Sequence, residues 1–267
     1  MNLGKEAEKD SKMAEARYLY CIVEGSEEDI TLGNIGIEGS RVYAIPYQDL
    51  CAVVHNCLPE PYKSEDQEKF KLWLTTHAKV VEVAWERFGT VLPLGFDTII
   101  KGEEGIAPDE NIKKWLKGDY ENLRQKLAKL KDRAEFGVQV FWDPKIISEG
   151  LIETTPEIKK LSEEIKSKSK GLAYMYKQKL ENLLKKEMEK EADKCFKDFY
   201  EQIKRCVDQI KVEKTKKLEE DKQMLLNFSC LLFKGKSKIL GEELEKIDHL
   251  KGFYVRFTGP WPPYSFT

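Results

Sequence analysis

Apolar residues recur along the chain in two rhythms. Residues 18–23 form a continuous aromatic and β-branched run and predict a buried strand. Residues 42–45 and 51–54 predict two more, with 46–49 as the turn between them, since Pro46 removes a ladder donor. The Gly-rich, acidic stretch 24–39 predicts loop. Three strands so close in sequence predict a mostly antiparallel sheet. The rhythm then changes: Phe70, Leu74, His77, Val81 and Trp85 fall at helical spacing, with Val80 and Ala84 beside them. Ser64 is the predicted cap, with Gln67 at the capping-box position, and Phe88-Gly89 the predicted end. Residues 90–100 return to extended character, interrupted by Pro93 and Gly95. A sheet with a helix across one face accounts for this first part.

A polar break over 102–109 predicts a domain boundary. Beyond it, Ile112, Trp115, Leu116, Tyr120, Leu123, Leu127 and Leu130 form one amphipathic stripe over 110–130. Strict alternation puts Phe136, Val138, Val140 and Trp142 on one face of a strand. Residues 156–166 predict a short helix, and Ser169 opens a much longer one running to about 207, whose apolar positions alternate with Lys and Glu. That helix reads either as a coiled-coil arm for a partner or as a helix packed on its own sheet; its stripe is broader than a heptad seam. The charged segment 210–221 is ambiguous. Residues 224–233 predict a buried strand, 238–250 a helix, and 253–257 a last strand. The predicted fold class is therefore α+β in two domains. The expected parts are a leader over 1–16, an N-terminal domain over 17–102, a C-terminal domain over 103–258 and an extended tail over 259–267. The C-terminal order suits a ferredoxin-like α+β sandwich with a long helical insertion.

Composition narrows the function classes. The net charge of −2 gives no global attraction to nucleic acid or to an anionic membrane. No run is long and apolar enough to span a bilayer, and the first sixteen residues lack the apolar core of a secretory signal, so a cytoplasmic location is expected. The six cysteines (Cys21, Cys51, Cys57, Cys195, Cys206, Cys230) form no C-x-x-C pair and have no histidine at ligand spacing; buried, reduced thiols are expected, with no metal site. The only histidines are His55, His77 and His249. With apolar neighbours on a helix face, His77 reads as a packing histidine. No G-x-S-x-G, P-loop or H-E-x-x-H is present, and Gly33–Gly39 lacks the Lys-Ser/Thr that a phosphate loop needs. An enzyme is not expected, nor any cofactor.

The end of the sequence is the most distinctive stretch: Gly259, Pro260, Trp261, Pro262, Pro263, Tyr264, Ser265, Phe266. Three prolines fix φ and remove donors, which bars a central strand or a helix interior. The aromatics of such a stiff tail can pack on an apolar surface. This octapeptide resembles the terminal signature of the GvpL/GvpF family of gas-vesicle proteins. Blocks at 18–23, 49–54, 77–82, 90–98, 135–140, 170–175 and 226–231 agree in order and approximate spacing, although Leu94 and Gly95 depart from a Val-Arg pair common in the family. The resemblance spans roughly 18–266.

The resemblance implies a non-enzymatic accessory or minor structural protein of vesicle assembly. Its implied partners are the hydrophobic shell protein GvpA and other Gvp proteins, with no nucleic acid and no membrane. A partner that covers the apolar face of a shell subunit and then releases it would act as a chaperone or nucleation factor. The tail residues Pro260, Trp261, Pro262, Pro263, Tyr264 and Phe266 then serve either as an interdomain clasp or as a partner-binding peptide. The competing reading is an RRM-like single-stranded RNA-binding module with Tyr18, Tyr20 and Tyr43 stacking bases, though no basic-aromatic RNP motif is present.

Overall fold

In the computed structural model, residues 15–27, 30–103, 105–216 and 222–267 are described. The expected leader lies almost wholly outside them. The chain divides into two compact units, Met1–Glu135 with Pro260–Thr267, and Phe136–Gly259. The boundary expected near residue 103 falls inside the first unit.

Six strands build the first unit's sheet: β1 (Ala16–Glu24), β2 (Thr31–Gly33), β3 (Val42–Tyr47), β4 (Leu50–Cys57), β5 (Val91–Pro93) and β6 (Ile99–Lys101). The order is β2-β3-β4-β1-β5, with β6 also on β1, and the pairings are antiparallel. Strand β1 is central. It pairs with β4 along its length, while its other edge is shared by β6 at Ala16–Tyr18 and β5 at Cys21–Val23. Pro46 lies within β3 opposite Cys51, beyond the reach of short β2, where a missing donor costs no ladder bond.

Every residue of β1 except Glu24 is buried, so both faces are covered. Helix α1 (Gln67–Phe88) covers one, since His77 bonds Tyr18. Helix α2 (Pro108–Gly118) covers the other, since the neighbouring Arg17 pairs with Asp109 at 2.8 Å. Helix α3 (Tyr120–Leu130) follows α2 and packs on β1 and β5. This second helical layer is why residues 103–135 belong with the first sheet. The single helix expected over 110–130 is broken at Asp119, whose φ of −113° and ψ of 13° leave the helical region. The cap of α1 is Asp66, which accepts from the Glu68 and Lys69 amides; Ser64 instead accepts the Asp66 N–H. Gly89 ends α1 at a φ of +76°, a conformation that glycine adopts without strain.

The second unit runs β7 (Arg133–Trp142), α4 (Pro144–Thr154), α5 (Pro156–Ile165), α6 (Lys170–Lys204), β8 (Gln209–Val212), β9 (Gln223–Phe233), α7 (Ser237–Asp248) and β10 (Phe253–Trp261). Its strand order is β10-β7-β9-β8. Phe136, Val138, Val140 and Trp142 are all buried, as their alternation predicts, and face a core that includes Leu226, Phe228 and Cys230. From α6 only Cys195, Phe199 and Ile203 are buried, so the core fixes its last third alone. Earlier turns of α6 pack on α4 and α5. The ambiguous segment 210–221 begins as strand β8; its residues 217–221 lie outside the described ones.

Candidate functional site

Inside the first unit the alternation of β1 aims Tyr18 and Tyr20 at a shared layer of polar rings. Tyr18 Oη lies 2.8 Å from His77 Nδ1, and His77 Nε2 lies 3.2 Å from the Leu94 carbonyl. A carbonyl only accepts, so Nε2 carries the proton and Nδ1 accepts the Tyr18 hydroxyl. The Tyr18 oxygen in turn accepts the Asp97 amide at 3.0 Å. Tyr20 repeats the arrangement: its oxygen accepts the Ile37 amide at 3.0 Å, and it lies 2.8 Å from His55 Nδ1. His55 Nε2 lies 2.9 Å from Tyr62 Oη. The Tyr62 amide donates to Asp97 Oδ1 at 2.9 Å, closing the circuit between the two halves.

Burial sets the protonation of this cluster. It pulls the imidazoles of His55 and His77 down to about 4, and pushes the Tyr18, Tyr20 and Tyr62 hydroxyls above the ordinary phenol range. Both histidines are therefore neutral at pH 7, with both ring nitrogens bonded. His77 is the packing histidine its helix position predicts. Tyr18 and Tyr20 have no exposed surface, so neither can offer a face to a base, and the RNA-stacking role considered for them is corrected on that ground.

The tail joins the same unit. Gly259, Pro260 and Trp261 continue β10 at the end of its sheet, where prolines are tolerated, and Tyr264–Phe266 make a 3-10 turn. Pro262 and Pro263 are buried. The Tyr264 ring lies 6.3 Å from His77, and burial raises its hydroxyl. Ser265 donates to Glu135 twice, from its amide at 2.8 Å and its hydroxyl at 2.6 Å. Phe266 is half-buried, whereas Trp261 keeps 49% of its surface exposed. Beside the tail, His77 also touches Phe96 at 5.9 Å, and Phe96 meets Phe70 at 5.6 Å. Phe70 and Leu74, one turn apart on α1, are exposed. Phe70, Leu74 and the half-buried Phe96 thus form an apolar surface on the first unit, and the exposed Tyr264 meets the same buried His77 that Phe96 touches. Sequence periodicity placed Phe70 and Leu74 on the packing stripe of α1; in the structure the buried face of α1 is Trp73, His77, Val80, Val81, Ala84 and Trp85, and Phe70 and Leu74 lie outside it.

Among the described residues, no group of three or more His, Cys, Asp or Glu side chains is placed to hold a metal ion. No disulfide joins any of the six cysteines; five are buried and Cys206 half-buried. Burial pushes the thiols of Cys57 and Cys195 to about 12 and that of Cys51 to about 11, which keeps them protonated. A groove of about 600 Å³ lies in the first unit between β3 and the start of α2, with Arg41, Asp109 and Lys113 among its lining residues. No helix among the described residues is long and apolar enough to cross a membrane.

Comparison with known proteins assigns the family. The family model described as gas vesicle synthesis protein GvpL/GvpF matches residues 16–267. Gas vesicle protein L1 of Halobacterium salinarum is 30% identical, covering 97% of this chain and 93% of its own length. Gas vesicle protein F of Nostoc sp. is 23% identical over 95% of this chain and 98% of its own length. The fold is shared with the crystal structure of the gas vesicle protein GvpF from Anabaena sp. PCC7120, at a TM-score of 0.74 and 23% identity, covering 94% of this chain and 98% of that one. GvpF from Microcystis aeruginosa gives a TM-score of 0.65 at 20% identity, covering 94% and 98%. The chain belongs to the GvpL/GvpF family of gas vesicle synthesis proteins.

Proposed function

We propose that the protein acts in gas vesicle formation by binding, without catalysis, and that its main partner is the small hydrophobic shell protein GvpA, with other Gvp proteins in the same assembly. The observation that carries this reading is the apolar surface of the first unit, formed by the exposed Phe70 and Leu74 with the half-buried Phe96, and extended by the exposed Tyr264, which meets the same buried His77 as Phe96. Contiguous exposed apolar side chains mark docking sites, because leaving them in water is unfavourable. A shell subunit with an apolar face would aggregate before assembly, and a protein that covers that face and later yields it acts as a chaperone or a nucleation factor. The neutral, fully bonded histidines support a binding role over acid–base chemistry. In this reading the tail is part of the docking surface: Tyr264 contributes to the patch and Trp261 stands exposed beside it in sequence. The protein works in the cytoplasm, associated with the vesicle. We also read the β7–helices–β8–β9–α7–β10 order of the second unit as ferredoxin-like, with α4–α6 as its helical insertion.

Co-expression with the shell protein, followed by pull-down and a solubility assay, tests the reading. The full chain is expected to keep the shell protein soluble and to retain it on the resin. A Phe70→Ser/Leu74→Ser variant is expected to lose both effects while keeping its fold. Aggregation of the shell protein with or without this chain would overturn direct shell binding.

A further inference from the structure

The first turns of α6 carry a surface that the proposed shell-binding patch does not use. Leu172, Tyr174 and Met175 are each more than half exposed, at 51%, 64% and 66%. They sit at the start of a helix of 35 residues, about 50 Å long, whose core contacts begin only at Cys195. Around them the chain is strongly basic: residues 166–186 carry seven lysines and one glutamate, in a chain of net charge −2.

Further along the helix two lysines are paired with carboxylates of the same helix. Lys190 bonds Glu187 at 2.6 Å and Lys194 bonds Glu191 at 3.5 Å. The seven lysines of 166–186 have no such carboxylate partner among the described residues; Lys168 instead lies over the Tyr176 ring at 5.2 Å. The first turn of α6 also holds no acidic residue, so the positive charge gathers at the end of the helix where the macrodipole opposes it. An anionic partner relieves both repulsions.

We propose that this basic, apolar-tipped end of α6 docks an acidic amphipathic helix of a partner protein. Leu172 and Met175 stand one turn apart and offer an apolar contact, and the lysines at this end of the helix, Lys166, Lys168 and Lys170 first among them, face the partner's carboxylates. One exposed ring, Tyr174, stands among these lysines, short of the successive aromatic platforms on which single-stranded nucleic acid stacks, which disfavours nucleic acid. The exposed apolar strip covers about one turn, far short of the continuous face that lies in a membrane interface. The inference rests on the reading of the protein as an assembly factor that binds other proteins.

The test uses the full chain and a labelled peptide of three heptads, with Leu at the first and fourth positions and Glu elsewhere. A lysine counterpart, poly(U) and phosphatidylglycerol vesicles are the comparison ligands. The acidic peptide is expected to bind about tenfold more tightly than the others, and to lose about tenfold between low and high salt. Lys166→Glu/Lys168→Glu/Lys170→Glu is expected to weaken it by about tenfold, and Leu172→Ser/Met175→Ser by a similar factor. All these positions are exposed or half-exposed, and circular dichroism checks that the helices persist. Equal binding of the two peptides, binding untouched by both variants, or preference for vesicles or poly(U) would overturn the proposal. Retention of the shell protein is scored separately. A chain that keeps the shell protein but ignores the acidic peptide refutes this surface and leaves the assembly reading standing.

Discussion

Tyr18 and His77, 59 residues apart, share one hydrogen bond of 2.8 Å that joins the central strand of the first sheet to the helix across its face. Both ends of that bond are further committed, to the Asp97 amide and to the Leu94 carbonyl. Replacing Tyr18 by Phe leaves a buried amide and an imidazole nitrogen without partners, which is expected to cost about 1–3 kcal/mol. The urea midpoint of the full chain measures it. Tyr254→Phe, on an exposed ring, is the control and should shift the midpoint little.

Acid should weaken the first unit. His55 and His77 have pKa values of about 4 in the folded protein, against 6.5 when unperturbed. Between those values the unfolded chain takes up protons that the folded chain refuses. Stability is therefore full above pH 6.5 and falls as the pH drops towards 4, by roughly 3 kcal/mol for each histidine. Urea titrations at a series of pH values check this, and His77→Gln should flatten the fall.

Gly36 lies under the Tyr20 hydroxyl. A Cβ there would stand 2.8 Å from the Ser40 carbonyl oxygen and 3.0 Å from Tyr20 Oη. Gly36→Ala is expected to push the Ile37 turn off Tyr20 and to destabilise by about 1–3 kcal/mol. Thermal unfolding reads the effect.

Truncation after Thr258 removes both Ser265–Glu135 bonds and the Tyr264 ring from beside His77. The first unit should lose stability, visible as a lower urea midpoint. Trp261→Ala, at a half-exposed side chain, should change stability by less than about 0.5 kcal/mol. If the tail also docks a partner, this single change weakens shell-protein retention without unfolding anything.

The two ends of α6 should respond oppositely to mutation. Phe199 is buried against Phe253, so Phe199→Ala should cost about 3–5 kcal/mol. Leu172→Ala, at a largely exposed site, should be nearly neutral. Chemical denaturation of the pair measures the contrast.

Strands β1 and β4 were legible as continuous apolar runs, and β7, β9 and helices α1 and α6 by the spacing of their apolar positions, although α6 buries only the last of its stripe. Helix α4 was not anticipated, although Asp143 and Pro144 spell a cap and a first helical residue; its apolar positions Ile146, Ile147, Leu151 and Ile152 span barely two turns, and none is buried. The break at Asp119 was hidden because the stripe runs through it without losing phase. The ring cluster was legible only in part. His77 stood on a visible helix face, but His55 and Tyr62 reach Tyr20 from 35 and 42 positions away, and no local rhythm encodes such a meeting. The family resemblance lay chiefly in the tail, where three prolines and three aromatics leave few conformations open.

The first unit is interrupted in sequence, and this orders events during synthesis. Its sheet and helices are complete once residue 135 has been made, yet the Glu135 carboxylate must wait for Ser265, 130 residues further on, before it is bonded. Domains begin to fold as they leave the ribosome. The nascent first unit therefore passes this interval with His77 uncovered on the side that Tyr264 later takes, and synthesis of the Tyr264–Phe266 turn decides when that face closes.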